Sequence, residues 1–377
     1  MTVPFAGLTW DHPRGFNALD KAGRDSGIIT WDKQSLEGFE SAPIADLCAR
    51  YDLVVLDHPH LGEALDLGCL TALNEVFAPD VLARLDADSI GPSFRSYVMD
   101  GQLWALPLDA ATQVMAVDAS LKDVSLNSWA SVLAFCQREG GHILSLAGPH
   151  AALSLMSIGA AIDPALDMAD EGWLDNAVCS EAFDCLARLY MGSDPRGHSL
   201  NPIRILEALS AEPELRLCPL IYGYAPYAMR QEPNTVYFKN APFHTSEGRP
   251  GSILGGTGIA LSAKAKPTTA LIEHLLWLMS PAVQETFIPG HDGQPSNRAA
   301  WQSEQVNAPT HGFYTATASS LEHAAIRPRH SGYIAFQTQA SAFIRRALMD
   351  GENPNQVART LQTMFIASLP SAKGTLQ

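Results

Sequence analysis

A short, wholly apolar segment, Leu53–Leu56 (LVVL), sets the strongest constraint on the fold. A continuous apolar run of this length is typical of a strand that is buried on both faces, as in a parallel sheet covered by helices. Leu8–Trp10 is predicted to be another short strand, and strand-like segments alternate with helical periodicity along the chain. This alternation predicts an α/β fold.

The length of the chain limits its domain organisation, and its net charge limits the class of partner that it can bind. A chain of 377 residues is too long for one compact core, so two lobes are expected. The formal net charge of −15 and the lack of a basic stripe argue against a nucleic-acid partner. The longest weakly polar segment, Ala151–Ile162, is shorter than the roughly 20 residues that a membrane span needs. No membrane insertion is therefore predicted.

Signatures of bound metals and cofactors are weak. The six cysteines show neither a CxxC pair nor metal-finger spacing, so they are expected to be small core residues, with no bridge between Cys179 and Cys185. The glycine cluster Gly255–Gly258 lacks the Lys-Ser/Thr of a phosphate-binding loop and precedes a strand rather than a helix. It is interpreted as a turn, and no cofactor is predicted.

Residues Gly255–Ala300 contain an ordered series of motifs. The glycine turn leads into a short strand, a loop with two lysines and a helix with apolar residues at helical spacing. A second helix is predicted to begin at Ser280-Pro281, where proline suits the first helical position, and to end near Pro289-Gly290. The segment Gly-Gln-Pro-Ser follows at Gly293–Ser296.

This series resembles the family 1 extracellular solute-binding proteins of ABC importers, which include the maltodextrin binders. Gly101–Pro107 is similar to the family's Gly-x-x-Tyr-Gly-Leu-Pro turn, with Trp104 for Tyr and Ala105 for the second Gly. Ile326–Tyr333 is similar to its Arg-Pro-x-x-x-x-Tyr segment. Together the matching motifs extend from Trp10 to about residue 365.

The resemblance implies a type II periplasmic-binding-protein fold, with two discontinuous α/β lobes joined by a hinge and a ligand cleft. Lobe 1 is expected to contain residues 1–109 and 255–308, and lobe 2 residues 110–254 and 309–377. The implied function is capture of a small polar ligand for an ABC transporter permease, by a monomer that is not an enzyme.

The loops after the first two predicted strands are expected to face the ligand, because open α/β sheets bind ligands beyond the carboxyl ends of their strands. These loops contain Asp11, His12, Arg14, Asp57, His58 and His60. Arg14 offers a planar fork for a carboxylate, so a sugar acid or another carboxylate stays open beside a sugar. His58 and His60 flank a proline and need not point the same way, so no metal site is predicted.

Further ligand contacts are expected from five other positions. They are Asp109, His150, Tyr224, Tyr227 and Tyr333. A tyrosine ring offers an apolar face to a sugar ring or an organic acid, and its hydroxyl adds a hydrogen bond. Tyr224 and Tyr227 lie where the resembled maltodextrin binders place a stacking aromatic residue, although one of the two could instead be a core residue.

The location and the activity of the protein can also be interpreted in a second way. The resemblance implies a periplasmic or extracellular protein, but the N-terminal residues lack the basic and apolar regions of a signal peptide. A cytosolic protein on the same scaffold could bind or convert a carboxylate or acyl substrate, with Asp11, His12, His58 and His60 as acid–base groups. The lack of a G-x-S-x-G nucleophile motif counts against this alternative.

Overall fold

The structure is a computed structural model that describes residues 4–166, 168–169, 172–245 and 248–370. The chain forms two compact units, each built from separated segments. Unit 1 comprises Met1–Ala111 and Gly255–Thr315, and unit 2 comprises Thr112–Leu254 and Ala316–Gln377.

The strands explain how the chain passes between the two units. In chain order they are β1 (Phe5–Trp10), β2 (Ile29–Gln34), β3 (Leu53–Leu56), β4 (Val98–Met99), β5 (Gln102–Leu103), β6 (Leu106–Val117), β7 (Leu217–Tyr222), β8 (Tyr237–Lys239) and β9 (Leu254–Leu261). The boundary at Ala111/Thr112 falls inside β6, and the boundary at Leu254/Gly255 falls at the start of β9. The two units therefore share continuous strands.

The helices make up most of the remaining regular structure. They are α1 (Pro13–Ser26), α2 (Leu36–Ser41), α3 (Ile44–Arg50), α4 (Leu61–Asp66), α5 (Pro79–Asp88), α6 (Trp129–Glu139), α7 (His150–Ile162), α8 (Asn176–Tyr190), α9 (Pro202–Ala211), α10 (Ala225–Ala228), α11 (Thr269–Leu278), α12 (Pro281–Glu285), α13 (Phe287–Gly290), α14 (Arg298–Gln302), α15 (Glu304–Asn307), α16 (Phe313–Glu322), α17 (Tyr333–Asp350) and α18 (Pro354–Ser368). None of the described helices is both long enough and apolar enough to cross a bilayer.

In unit 1 the strand order is β2-β1-β3-β9. β1 pairs in parallel with β2 and β3, and β9 runs antiparallel to β3. All residues of β3 are buried, as the apolar run Leu53–Leu56 predicts for a strand covered on both faces. Since β1 and β3 are parallel neighbours, the loops that follow them leave the same edge of the sheet.

The start of α1 fixes the loop after β1. His12 has an extended backbone and caps the helix, because its Nδ1 accepts the N–H of Arg14 at 3.2 Å. Pro13 takes the first helical position, where a missing N–H costs nothing. Gly15 lies against Trp10, and a Cβ at this position would come within 2.1 Å of Trp10 Nε1. Only glycine therefore lets α1 lie this close to the end of β1.

Unit 2 is built on β6, which pairs antiparallel with β7 and β8. Its hydrophobic core is formed largely by α7, α8, α17 and α18. Nearly every residue of α7 is buried, which fits the weakly polar segment Ala151–Ile162. Phe183 of α8 is fully buried, and replacing such a residue by Ala typically costs about 3–5 kcal/mol.

Two local predictions in the Gly255–Ala300 region are wrong. The glycine cluster Gly255–Gly258 is not a turn before a strand but part of β9, where Gly256 has a φ of 98° and a Cβ would come within 2.2 Å of the Asp109 carbonyl oxygen.

The second error concerns a helix. The helix expected from Ser280 to Gly290 is two short helices, α12 and α13. Thr286 separates them with φ −118° and ψ −59°, outside the usual helical range of φ. The hydroxyl of Thr286 donates to the Ala282 carbonyl at 2.6 Å, a side-chain bond of the kind that competes with regular helix.

Candidate ligand-binding site

An aromatic pair lies at the end of β1 in unit 1. The rings of Trp10 and His12 are stacked, with centroids 5.1 Å apart and planes within 6°. Trp10 is buried and His12 is partly exposed, so His12 is the outer member of the pair. Asp11 points elsewhere: it is exposed and forms an ion pair with Lys33 at 2.7 Å.

His12 is neutral at physiological pH. Burial, and then the nearby charge of Arg14, lower the pKa of His12 to about 4 against the opposing effects of Asp292 and Asp11. Because Nδ1 accepts the Arg14 N–H, the single proton of the neutral ring must be on Nε2. The His12 ring is thus uncharged and lies beside the flat aromatic surface of Trp10.

Arg14 and Asp109 form a buried ion pair within unit 1. Arg14 Nε donates to Asp109 Oδ2 at 2.7 Å, and Arg14 Nη2 donates to Asp109 Oδ1. The two side chains are only 4% and 6% exposed. The arginine fork therefore already holds a carboxylate from β6. This two-point contact compensates both charges without a ligand.

The loop after β3 forms a compact turn, His58–His60. His58 is fully buried; its Nδ1 lies 3.1 Å from Asp57 Oδ1, and its ring meets the edge of Tyr97 at 6.3 Å. His60 is also buried and donates its backbone N–H to the Asp57 carbonyl at 3.1 Å. The structure thus holds both histidines in a packed turn next to the loop of His12.

In unit 2, His150 is the first residue of α7 and is buried. Its ring lies edge-to-face with Tyr222, with centroids 5.9 Å apart. Burial lowers the pKa of His150 to about 3, and the charges of Arg327 and Arg345 act in the same direction. Like His12, it is a neutral imidazole at physiological pH.

The three predicted tyrosines of unit 2 have different surroundings. Tyr227 donates its hydroxyl to Glu207 at 2.9 Å, and the guanidinium of Arg230 lies 4.4 Å above its ring. Tyr224 meets Tyr227 edge-to-face at 6.5 Å. Tyr333 is fully buried in the core of unit 2, with its hydroxyl 3.8 Å from the Met156 sulfur. Tyr227 therefore has structural contacts through both its hydroxyl and its ring.

Sequence reasoning misses three residues that adjoin the predicted positions. Trp10 stacks on His12, Tyr222 packs on His150, and Arg327 is close enough to lower the pKa of His150. Trp10 and Tyr222 are the last residues of β1 and β7, and this position could have identified them. Ten residues are predicted from the sequence to bind a ligand, and this stays a prediction. They are Asp11, His12, Arg14, His58, His60, Asp109, His150, Tyr224, Tyr227 and Tyr333.

Metal binding has no support among the described residues. No group of three or more His, Cys, Asp or Glu side chains there is arranged to hold an ion. His58 and His60 occur in one turn, but the carboxylate beside His58 belongs to the adjacent residue, Asp57.

Comparison with solved structures shows matches over nearly the whole chain. An ABC transporter solute binding protein from Agrobacterium radiobacter K84 in complex with ribitol has a TM-score of 0.76 at 18% identity, covering 96% of this chain and 97% of that one. Maltose-bound MalE3 of T. maritima has a TM-score of 0.78 at 13% identity, covering 98% and 100%. This chain has the fold of the ABC transporter solute-binding proteins.

A third example of this fold is the solute binding protein from Agrobacterium vitis S4 with bound D-mannitol, with a TM-score of 0.73 at 16% identity, covering 97% of each chain. No protein-family model and no curated protein sequence matches the chain. The type II periplasmic-binding-protein fold and the α/β class expected from the sequence are therefore confirmed through structure alone.

Proposed function

We propose that this protein is a solute-binding protein of an ABC importer and that its ligand is a neutral polyhydroxylated molecule, a sugar or a sugar alcohol. The observation that carries the proposal is the whole-chain fold match to solute-binding proteins whose structures contain ribitol, maltose and D-mannitol. In this role the protein acts outside the cytoplasm, delivers its ligand to a permease and performs no chemistry.

The buried ion pair supports a neutral ligand. A carboxylate ligand could not pair with the Nε and Nη2 side of Arg14, because Asp109 already accepts from both of these donors in a buried setting. His12 and His150 are neutral because burial lowers the pKa of each, so neither adds a positive charge. Neutral imidazoles, aromatic rings and hydroxyl groups are suited to sugar hydroxyls and to the C–H faces of sugar rings.

The proposed ligand contacts are a subset of the positions chosen from the sequence. We keep His12, His58, His60, His150 and Tyr224, and we add Trp10 as the support of His12. Arg14 and Asp109 are kept as positioning residues that hold the loop after β1. Tyr227 and Tyr333 are assigned to packing, because Arg230 covers the ring of Tyr227 and the core of unit 2 surrounds Tyr333.

A thermal-shift screen with matched ligand pairs tests the proposal. Each pair joins a sugar alcohol with the acid of the same carbon chain, such as ribitol with ribonate and mannitol with mannonate. A ligand at 100 times its Kd stabilises the folded state by roughly 2.7 kcal/mol. We expect a rise in Tm with neutral members only. A rise with the acids alone would contradict the neutral-ligand proposal.

Variants of His12 distinguish the loss of a direct ligand contact from a general loss of stability. Replacing His12 by Asn keeps a favourable helix cap but removes the aromatic ring and the Nε2–H donor. We expect this variant to fold and to bind the ligand at least tenfold more weakly. His291→Asn is a matched control in unit 1, because His291 lies at the end of α13 and makes its bond to the Phe287 carbonyl. Equal affinity in both variants would remove His12 from the site.

The alternative is a protein on the same scaffold that converts a carboxylate or acyl substrate. The contact between Asp57 and His58 is the observation that favours it, since a carboxylate can orient an imidazole as a general base. Incubation with a ligand that binds, followed by mass spectrometry of the released molecule, separates the two functions. We expect unchanged ligand, whereas a product that fails to form in His58→Gln would establish the alternative.

A further inference from the structure

Unit 2 contains a cavity of about 340 Å³ that is lined mainly by residues of α6, α7 and α8. None of its lining residues is among the contacts proposed above for the sugar or sugar alcohol. The volume falls within the range of about 300–1,000 Å³ that is typical of small-molecule sites. The cavity can therefore hold a small organic molecule at residues that the proposed function does not use.

Part of the lining is an apolar wall formed by Trp129, Leu133 and Ile158. Trp129 and Leu133 are four residues apart on α6, so they project from the same face of that helix, and Ile158 belongs to α7. The three side chains are only 4%, 5% and 1% exposed. Because they are packed into unit 2, they offer a fixed surface to the hydrocarbon part of a ligand.

The part of the lining that comes from α8 is charged. Glu181, Asp184 and Arg188 are spaced by three and four residues, so they share one face of the helix, and all three are exposed. Glu181 Oε1 lies 3.6 Å from His244 Nε2, whereas Asp184 forms no ion pair with any residue that the structure describes. Two carboxylates beside one guanidinium favour a positively charged group at this part of the cavity.

We propose that this cavity binds a small amphipathic amine, with its hydrocarbon body against the apolar wall and its ammonium group beside Glu181 and Asp184. A protonated amine has three N–H donors, and an N–H···O bond between opposite charges is about twice as strong as one between neutral groups. Binding at this site involves no covalent step, and it does not depend on which ligand the histidine-containing loops bind.

Isothermal titration calorimetry with three matched probes tests the proposal. Tyramine, tyrosol and 4-hydroxyphenylacetate share a phenol ring with a two-carbon chain, and they end in an ammonium, a hydroxyl and a carboxylate group. We expect tyramine to bind about tenfold more tightly than tyrosol, and 4-hydroxyphenylacetate to bind most weakly. Equal affinities, or tightest binding of the acid, would overturn the proposal.

Charge variants on α8 test the role of the carboxylates. Asp184→Asn is expected to weaken tyramine binding about fivefold and to leave tyrosol binding unchanged, whereas Arg188→Gln removes the opposing charge and should strengthen tyramine binding. Glu139→Gln is the matched control, because Glu139 is an exposed carboxylate of α6 outside the lining. An equal loss in this control would mean that tyramine follows the net charge of the protein, and the proposal would fail.

A variant that fills the cavity tests the location of the bound amine. Ala134 is an exposed residue of α6 that lines the cavity, so Ala134→Trp should occupy the space without removing a core side chain. We expect it to weaken tyramine binding by about tenfold or more. Arg138→Trp places the same side chain at an exposed position of α6 outside the lining and should bind like the wild type. Circular dichroism checks that both variants fold. Unchanged tyramine affinity in folded Ala134→Trp would overturn the proposal.

Discussion

Each unit contains an arginine paired with a carboxylate, and the two pairs differ in their surroundings. In unit 1 the side chains of Arg14 and Asp109 are 4% and 6% exposed, whereas in unit 2 those of Arg230 and Glu207 are 36% and 49% exposed. Both pairs use two N–H donors on two carboxylate oxygens. The chemistry is the same, so burial determines what each pair contributes. A buried charge that loses its partner is costly, whereas an exposed charge is hydrated.

Removal of Asp109 should have the largest effect. Asp109→Ala leaves the Arg14 guanidinium buried without its carboxylate, and the expected loss in the free energy of unfolding is about 3–5 kcal/mol. Urea unfolding of the wild type and the variant, followed by circular dichroism, measures this difference. A loss below about 1 kcal/mol would show that Arg14 behaves like an exposed arginine.

A double variant sharpens the same comparison. Replacing Arg14 by Met and Asp109 by Leu removes both charges together, and apolar residues of similar volume often match a buried ion pair in stability. We therefore expect the double variant to be more stable than Asp109→Ala. Additive losses would mean that the two side chains contribute through packing and not through their pairing.

Protonation of His12 should have an effect of intermediate size on the free energy of unfolding. Its folded pKa of about 4 lies below the unfolded value of 6.5, so the unfolded state binds the proton first as the pH falls. Stability is fully present above pH 6.5 and is lost as the pH falls toward 4. After allowance for partial exposure, we expect a loss of about 1–2 kcal/mol at pH 5 that His12→Asn does not show. A titration of the His12 resonance near 6.5 would contradict this.

Disruption of the exposed pair should have the smallest effect. The hydrogen bond from Arg230 lowers the pKa of Glu207, so the contribution of Glu207 is present above its unfolded pKa and is lost as the pH falls through the folded pKa. Glu207→Gln is expected to cost less than about 1 kcal/mol at pH 7 and to cost less still at high salt. A loss as large as that of Asp109→Ala would remove the distinction between the two units.

Local signals in the sequence predict two of the strands that position the site. The apolar run at β3 and the terminal residues of β1 both depend on a few neighbouring residues. The partner of Arg14 could not be predicted in this way, because Asp109 is 95 residues away and reaches it only through the fold. For the same reason the sequence did not distinguish Tyr224 from Tyr227, whose ring is covered by Arg230.

The whole-chain family resemblance is predictable because it depends on the order of several weak motifs, and the fold match confirms it at the level of the fold. The chemical class of the ligand is less predictable from the order of these motifs. Arg14 alone suggests a carboxylate, whereas Arg14 with Asp109 suggests a neutral molecule. Our proposal for the chemical class of the ligand thus depends on a tertiary contact.

The most direct test is the identity of the molecule that the protein retains when it is purified from its own cells. The protein is unfolded in acid, and the released small molecules are separated and identified by mass spectrometry. We predict a neutral polyhydroxylated molecule in roughly one-to-one ratio with the protein. A carboxylate, or a chemically altered product of an added ligand, would contradict a neutral-solute binding protein.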